Sequence, residues 1–206
     1  MHEKLSKGLT FGLLGNVFFI LFSLVCLAYY SIFGREGIVV PFIEVIAYLC
    51  EAAGFVFMVL AVININRTVR MRTWLKISFP LYIAMELVLM VLELNSYRIE
   101  FYKPYSLLLA IIHSVISAAV CFCFYSFDTG KKGLEITIII SVAVILSGML
   151  GNILGFRIYF SILINAVAYL ILFASVKWML GRGTIEIDCH GDKARVTEYK
   201  STFFGE

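Results

Sequence analysis

Six stretches of this chain, at 9–33, 38–64, 74–96, 104–127, 134–156 and 158–180, are apolar for long enough to cross a lipid bilayer. A hydrocarbon layer about 30 Å thick needs about 20 helical residues at a rise of ~1.5 Å each. No water is present there to bond backbone N–H and C=O groups, so each stretch must satisfy them within itself, as a helix does. The pattern predicts an all-α polytopic membrane protein with about six transmembrane helices. Composition excludes the soluble alternative. Of the 206 residues, 61% are hydrophobic and 15% charged, against about 45–50% and about 25% in soluble domains. A soluble domain of this size has too little interior to hide the excess.

The breaks between the stretches are short. Gly34 and Gly37 mark the first, Gly130 and Gly133 the fourth, and only Gly155-Phe156-Arg157 separates the last two stretches. Those two are therefore expected to form a close antiparallel hairpin. Lys4 and Lys7 precede the first stretch, but 9–33 is too long for a signal peptide and lacks a small-x-small cleavage site, so a retained first helix is expected. With the N-terminus inside, every Lys and Arg except Arg35, Arg98, Lys103 and Arg157 falls on the cytoplasmic side. That is the positive-inside bias, and it places both termini in the cytoplasm. Tyr29, Tyr30, Tyr97, Tyr102 and Tyr105 fall at the outer boundary and Trp74, Tyr125 and Trp178 at the inner one, as an aromatic belt requires. The bias suits a bacterial plasma membrane.

A transmembrane domain, 1–180, thus precedes a cytoplasmic tail, 181–206. In the tail, residues 184–189 and 194–199 alternate apolar and polar side chains around the turn His190-Gly191-Asp192-Lys193. This predicts a small β-hairpin. A lone hairpin is marginal in water, so it is expected to dock on the membrane domain or on a cytoplasmic partner. The net charge of +3 is too small to indicate nucleic acid as a partner. Four of the five cysteines, Cys26, Cys50, Cys121 and Cys123, lie in apolar runs and read as small hydrophobes.

Chemistry is expected where charge is costly. Glu44 and Glu51 lie in the second stretch, Glu86 and Glu93 in the third. An ionisable group at mid-bilayer costs about 2.5–3.5 kcal/mol even on the mildest scale and usually serves a function. Each pair is seven residues apart, which leaves its members only ~20° out of line on one helix face. The two helices run antiparallel across a short loop and should be neighbours. Two rungs follow: Glu44 opposite Glu93 near the outer surface, and Glu51 opposite Glu86 near the midplane. His113, about 13 Å from the outer end of the fourth helix at the helical rise, falls between them in depth, with Ser114 and Ser117 beside it. Asn16, Asn152 and Asn165, with Ser141, Ser147 and Ser161, can bond across helices, and Asn152 and Asn165 are placed to line one vestibule. The small residues in Ala52-Ala53-Gly54 and Ser147-Gly148 mark expected close helix contacts.

No Lys or Arg lies at the depth of Glu51 and Glu86. Two carboxylates close together in low dielectric cannot both stay ionised alone, so the site should hold a proton or a cation. Oxygen ligands alone would take a hard divalent cation; Glu51, Glu86 and His113 together would admit a transition metal. The leading expectation is a transporter or channel in which the Glu/His cluster binds or relays a cation or proton, with the few helices favouring a homo-oligomer. A second is an accessory, sensing or substrate-binding subunit of a larger complex, docked through the tail. The third is a carboxylate- or metal-dependent intramembrane enzyme. The chain lacks the adjacent Glu–Glu pair and second membrane histidine of CAAX-processing proteases, and its three histidines are too few for a histidine-rich di-iron enzyme.

Overall fold

The computed structural model describes residues 2–32, 41–69, 77, 80–88, 91, 102–122, 124, 132–154 and 158–183. These residues are helical almost throughout: α1 (His2–Ile32), α2 (Pro41–Thr68), α3 (80–88), α4 (Tyr102–Cys121), α5 (Lys132–Ile153) and α6 (Ile158–Gly181). Four helices are long and apolar enough to cross a membrane, over Glu3–Tyr29, Phe42–Thr68, Leu134–Gly151 and Tyr159–Gly181. Within α4 the apolar run is shorter, Ile111–Cys121. No β-strand occurs among the described residues; the expected hairpin at 184–199 lies outside them.

Local chemistry accounts for the helix ends. α1 begins seven residues before its apolar run, and its first turns carry an exposed Glu3–Lys7 ion pair at 2.8 Å, one turn apart. α2 opens on Pro41, whose missing N–H is no loss in the first turn. It continues past Asn64, where a loop was expected, because Asn64 and Thr68 return their side-chain donors to Leu60 O and Asn64 O at 2.7 Å. α6 ends at Gly181, and two residues on, Gly183, with a φ of 63°, takes the left-handed conformation that closes many helices. There Arg182 N and Gly183 N donate to Trp178 O and Leu180 O, both at 3.1 Å. The Arg182 guanidinium lies 4.1 Å over the exposed Trp178 ring, an interfacial anchor.

Burial runs opposite to that of a soluble protein. Leu49, Phe42, Ile139 and Leu154 are exposed, whereas Asn16, Ser23, Glu51, Glu86, His113, Ser114, Ser117, Ser161 and Asn165 are buried. Lipid tails solvate Leu as well as a protein core does, so only the polar groups are driven inward. α6 packs against α1, α4 and α5, and α1 against α2. α3 reaches all the rest of the site-bearing helices: Tyr82 meets Tyr169 of α6 edge-on at 5.4 Å, Glu86 meets His113 of α4, and Pro80, Ile83 and Leu87 border a groove of about 270 Å³ with Val59, Val62 and Ile63 of α2.

α1 and α2 touch backbone to backbone. A Cβ on Gly15 would lie 3.0 Å from Gly54 O, and one on Gly54 would lie 3.1 Å from Gly15 O. One turn earlier, Gly12 accepts the ring of Phe173 from α6, and a Cβ there would overlap it at 2.3 Å. Gly54 belongs to the small-residue run expected at a close contact, and Gly148 fills the same role in α5, its absent Cβ 3.2 Å from Ile164 of α6. Phe11 and Phe18 of α1 stack on Phe57 of α2 at 6.1 and 5.6 Å, flanking the glycine contact.

Candidate functional site

Three helices deliver a continuous line of buried hydrogen bonds. His113 is 3% exposed, and both of its ring nitrogens are engaged. Nε2 lies 2.7 Å from Glu86 Oε1 of α3, and Nδ1 lies 3.3 Å from Asn165 Nδ2 of α6. Tyr82, one turn before Glu86, adds its hydroxyl to the same carboxylate, and its ring packs against the imidazole at 5.8 Å. Tyr169, one turn after Asn165, donates to Ser117 O at 2.7 Å. The pairs Tyr82/Glu86, His113/Ser117 and Asn165/Tyr169 are each four residues apart, so each presents two polar groups on one helix face.

The orientation of the Asn165 amide sets which tautomer fits. An amide nitrogen only donates, so His113 Nδ1 accepts from Asn165; Nε2 then carries the hydrogen and donates to Glu86 Oε1. In this arrangement the imidazole is neutral. Protonating it would set an Nδ1–H against the Asn165 NH₂, which is resolved by turning the amide so that Oδ1 faces the ring. That oxygen is buried without a hydrogen-bond partner.

Glu51 of α2 is 6% exposed and within electrostatic reach of Glu86, with its Oε2 unpartnered. Counting from the N-terminal ends of α2 and α4, Glu51 and His113 both lie about 15 Å along their helices at the helical rise. The outer rung is not described as a pair. Glu44 is half-buried and accepts a 3.4 Å hydrogen bond from Tyr29 of α1; Glu93 lies outside the described residues. Asn152 belongs to α5, but its side chain is also outside them, so only Asn165 of the expected vestibule pair is placed. It is 2% exposed and sits on the imidazole.

The metal set Glu51, Glu86 and His113 is not assembled. Among the described residues, no three His, Cys, Asp or Glu side chains gather closely enough to share an ion. The reason is visible at His113, whose two nitrogens are both occupied by protein partners, leaving no lone pair for a metal. Asn16, expected to bond across helices, returns Nδ2 to Gly12 O of its own helix at 2.7 Å and reaches Met58 Sδ of α2 at 3.6 Å. Ser141 does bond across, to Ala168 O at 3.4 Å, while Ser147 bonds within α5.

Tyr82 and Tyr169 were not singled out from sequence. Their signal was the four-residue spacing to Glu86 and Asn165, masked because a tyrosine in an apolar helix is usually packing. Tyr169→Phe should cost about 1 kcal/mol, between the mean and the maximum for hydrogen bonds between membrane helices. Unfolding in detergent–SDS mixtures measures it. Unchanged stability would show that the Ser117 carbonyl finds another donor.

Comparison with protein-family models, with curated proteins and with solved structures returns no match. The site therefore has to be read from its own geometry, as a buried carboxylate–imidazole–amide line in a helical membrane bundle.

Proposed function

We propose that this chain is a six-span proton-translocating membrane protein, with both ends in the cytoplasm, in which Glu86, His113 and Asn165 relay the proton. The observation that carries the reading is His113, bonded at both nitrogens within the bundle, with a carboxylate on one side and an amide on the other. The distribution of Lys and Arg supports the topology. An imidazole so placed passes a proton without staying charged. A proton arrives at Nδ1 as the Asn165 amide turns and Oδ1 accepts the new N–H. The proton on Nε2 then moves to Glu86 Oε1, and His113 leaves the step neutral in its other tautomer. Tyr82 holds the carboxylate in line through its hydrogen bond. Glu51, a second buried carboxylate within electrostatic reach of Glu86, is the next acceptor. A ring rotation or a proton returned through the same groups resets the tautomer.

The test is proton entry into liposomes carrying the purified protein, driven by a potassium diffusion potential and read by an enclosed pH dye. Wild-type protein should acidify the lumen. Glu86→Gln, which keeps the shape and the acceptor oxygen but cannot take up the proton, should slow entry about a hundredfold, the lower range for a positioned acid–base group. Equal rates for the two proteins would refute the relay.

A further inference from the structure

Two contacts set the register of α4 against α6. His113 meets Asn165 and Ser117 meets Tyr169, and both pairs are 52 residues apart. The helices therefore run parallel and in step along one seam. Ser161 lies one turn before Asn165 on α6, its Oγ toward Gly148 of α5 at the edge of the seam, 3.5 Å from where a Cβ on that glycine would stand, and Ser114 follows His113 on α4. Its serines and its asparagine are essentially buried: Ser114 and Ser117 at 0% exposure, Ser161 and Asn165 at 2%. Yet Ser114 Oγ, Ser117 Oγ, Ser161 Oγ and Asn165 Oδ1 have no hydrogen-bond partner.

Three hydroxyls elsewhere in the bundle behave differently, while Ser23 Oγ of α1 is, like the seam serines, buried without a hydrogen-bond partner. Thr10, Ser31 and Thr68 return their side-chain hydrogen to the carbonyl four residues back, at 2.7–2.8 Å. That is the default for such a residue in an apolar helix. The seam serines do not take it, so their hydrogen-bonding capacity is left over and concentrated in one place. Buried polar atoms without a protein partner are the usual lodging of ordered water.

The polarity stops at one end. One turn past the Ser117–Tyr169 contact the same register brings Cys121 level with Phe173. There Phe124 and Phe173 meet edge to face at 5.1 Å, Phe173 lies on Gly12, and Leu172 and Val176 are fully buried. The seam is thus polar toward the side on which α6 begins and sealed by aromatic packing toward the side on which it ends.

We infer that the α4–α6 seam binds a chain of water molecules that exchanges protons between His113 and the side of the membrane on which α6 begins, with Phe124 and Phe173 closing the way to the other side. This rests on the proton-relay reading of Glu86 and His113 and supplies its entry route. The water bonds Ser161 Oγ first, then Asn165 Oδ1 and Ser114 Oγ at the level of His113, and ends at Ser117 Oγ one turn further in. A proton hops from water to water and is handed to Nδ1 when the amide turns; no bond other than O–H and N–H forms or breaks.

The experiment uses the full chain in liposomes and reads hydrogen–deuterium exchange of the His113 ring N–H by NMR, together with proton entry. Ser161→Leu fills the mouth of the seam with an apolar side chain and should slow both by at least about tenfold, while the Glu86–His113 hydrogen bond persists. Should Ser161→Leu fail to fold, Ser161→Cys in a background lacking Cys26, Cys50, Cys121, Cys123 and Cys189 takes its place. Its thiol should react with a small charged thiosulfonate added on the α6 N-terminal side, and Val176→Cys should not. Unaltered exchange in Ser161→Leu, or equal reactivity of the two cysteine variants, overturns the seam. If Glu86→Gln abolishes proton entry while Ser161→Leu leaves it intact, the relay stands and the water route alone is wrong.

Discussion

His113→Leu should destabilise the protein by about 3–5 kcal/mol, the range for removing one partner of a buried ionisable pair. The loss is larger than that of an ordinary hydrogen bond between membrane helices, which averages about 0.6 kcal/mol. The difference lies in what is left behind. Without the imidazole, the Glu86 carboxylate and the Asn165 amide face an apolar side chain, and among the described residues only the Tyr82 hydroxyl still bonds Glu86. An uncompensated acid in low dielectric costs far more than an unmade neutral bond. Glu86→Gln should behave otherwise. Its amide oxygen can still accept from Nε2, so the loss should stay within about 1 kcal/mol although proton transfer stops. Reversible unfolding in detergent–SDS mixtures separates the two. A His113→Leu protein as stable as wild type would mean that the three groups do not act as one buried network.

The second large effect is expected far from any acid. Gly54→Leu should destabilise by about 3 kcal/mol or more, at or above the usual range for overpacking, and Gly54→Ala by clearly less. The obstacle is backbone: a Cβ at Gly54 would stand 3.1 Å from the Gly15 carbonyl, which cannot move without moving α1. In lipid there is no hydrophobic force to hold two helices together once close contact is lost, so the packing at this crossing carries the association. Glu51 lies one turn before Gly54 on α2, and separating the helices also withdraws it from Glu86. Cysteine cross-linking between α1 and α2, or the same unfolding assay, reads the result. Normal stability of Gly54→Leu would show that the crossing tolerates a wider spacing.

These two effects belong to different links in the chain from sequence to function. The glycine contact holds the helices in place, and the Glu86–His113–Asn165 line uses the positions so held. Substituting Gly54 should impair proton movement in proportion to the lost structure, whereas Glu86→Gln should impair it in a protein that unfolds almost normally.

Hydropathy alone determined that this chain lives in a membrane as helices, because the bilayer imposes a length and forbids open backbone, and both constraints act locally on the chain. The cost of charge in lipid likewise singled out Glu51, Glu86 and His113, and the helical rise put His113 in depth between the rung of Glu51 and Glu86 and that of Glu44 and Glu93. Partners could not be read in the same way. Whether His113 would meet a carboxylate, an amide or a metal depends on how α3, α4 and α6 rotate about their axes, and that rotation is settled by contacts between residues far apart in sequence. Packing gave both imidazole nitrogens to protein groups, set Asn165 against the ring, brought Tyr82 and Tyr169 alongside, and left the seam hydroxyls without partners. Depth follows from the rise of a single helix; facing requires the whole bundle.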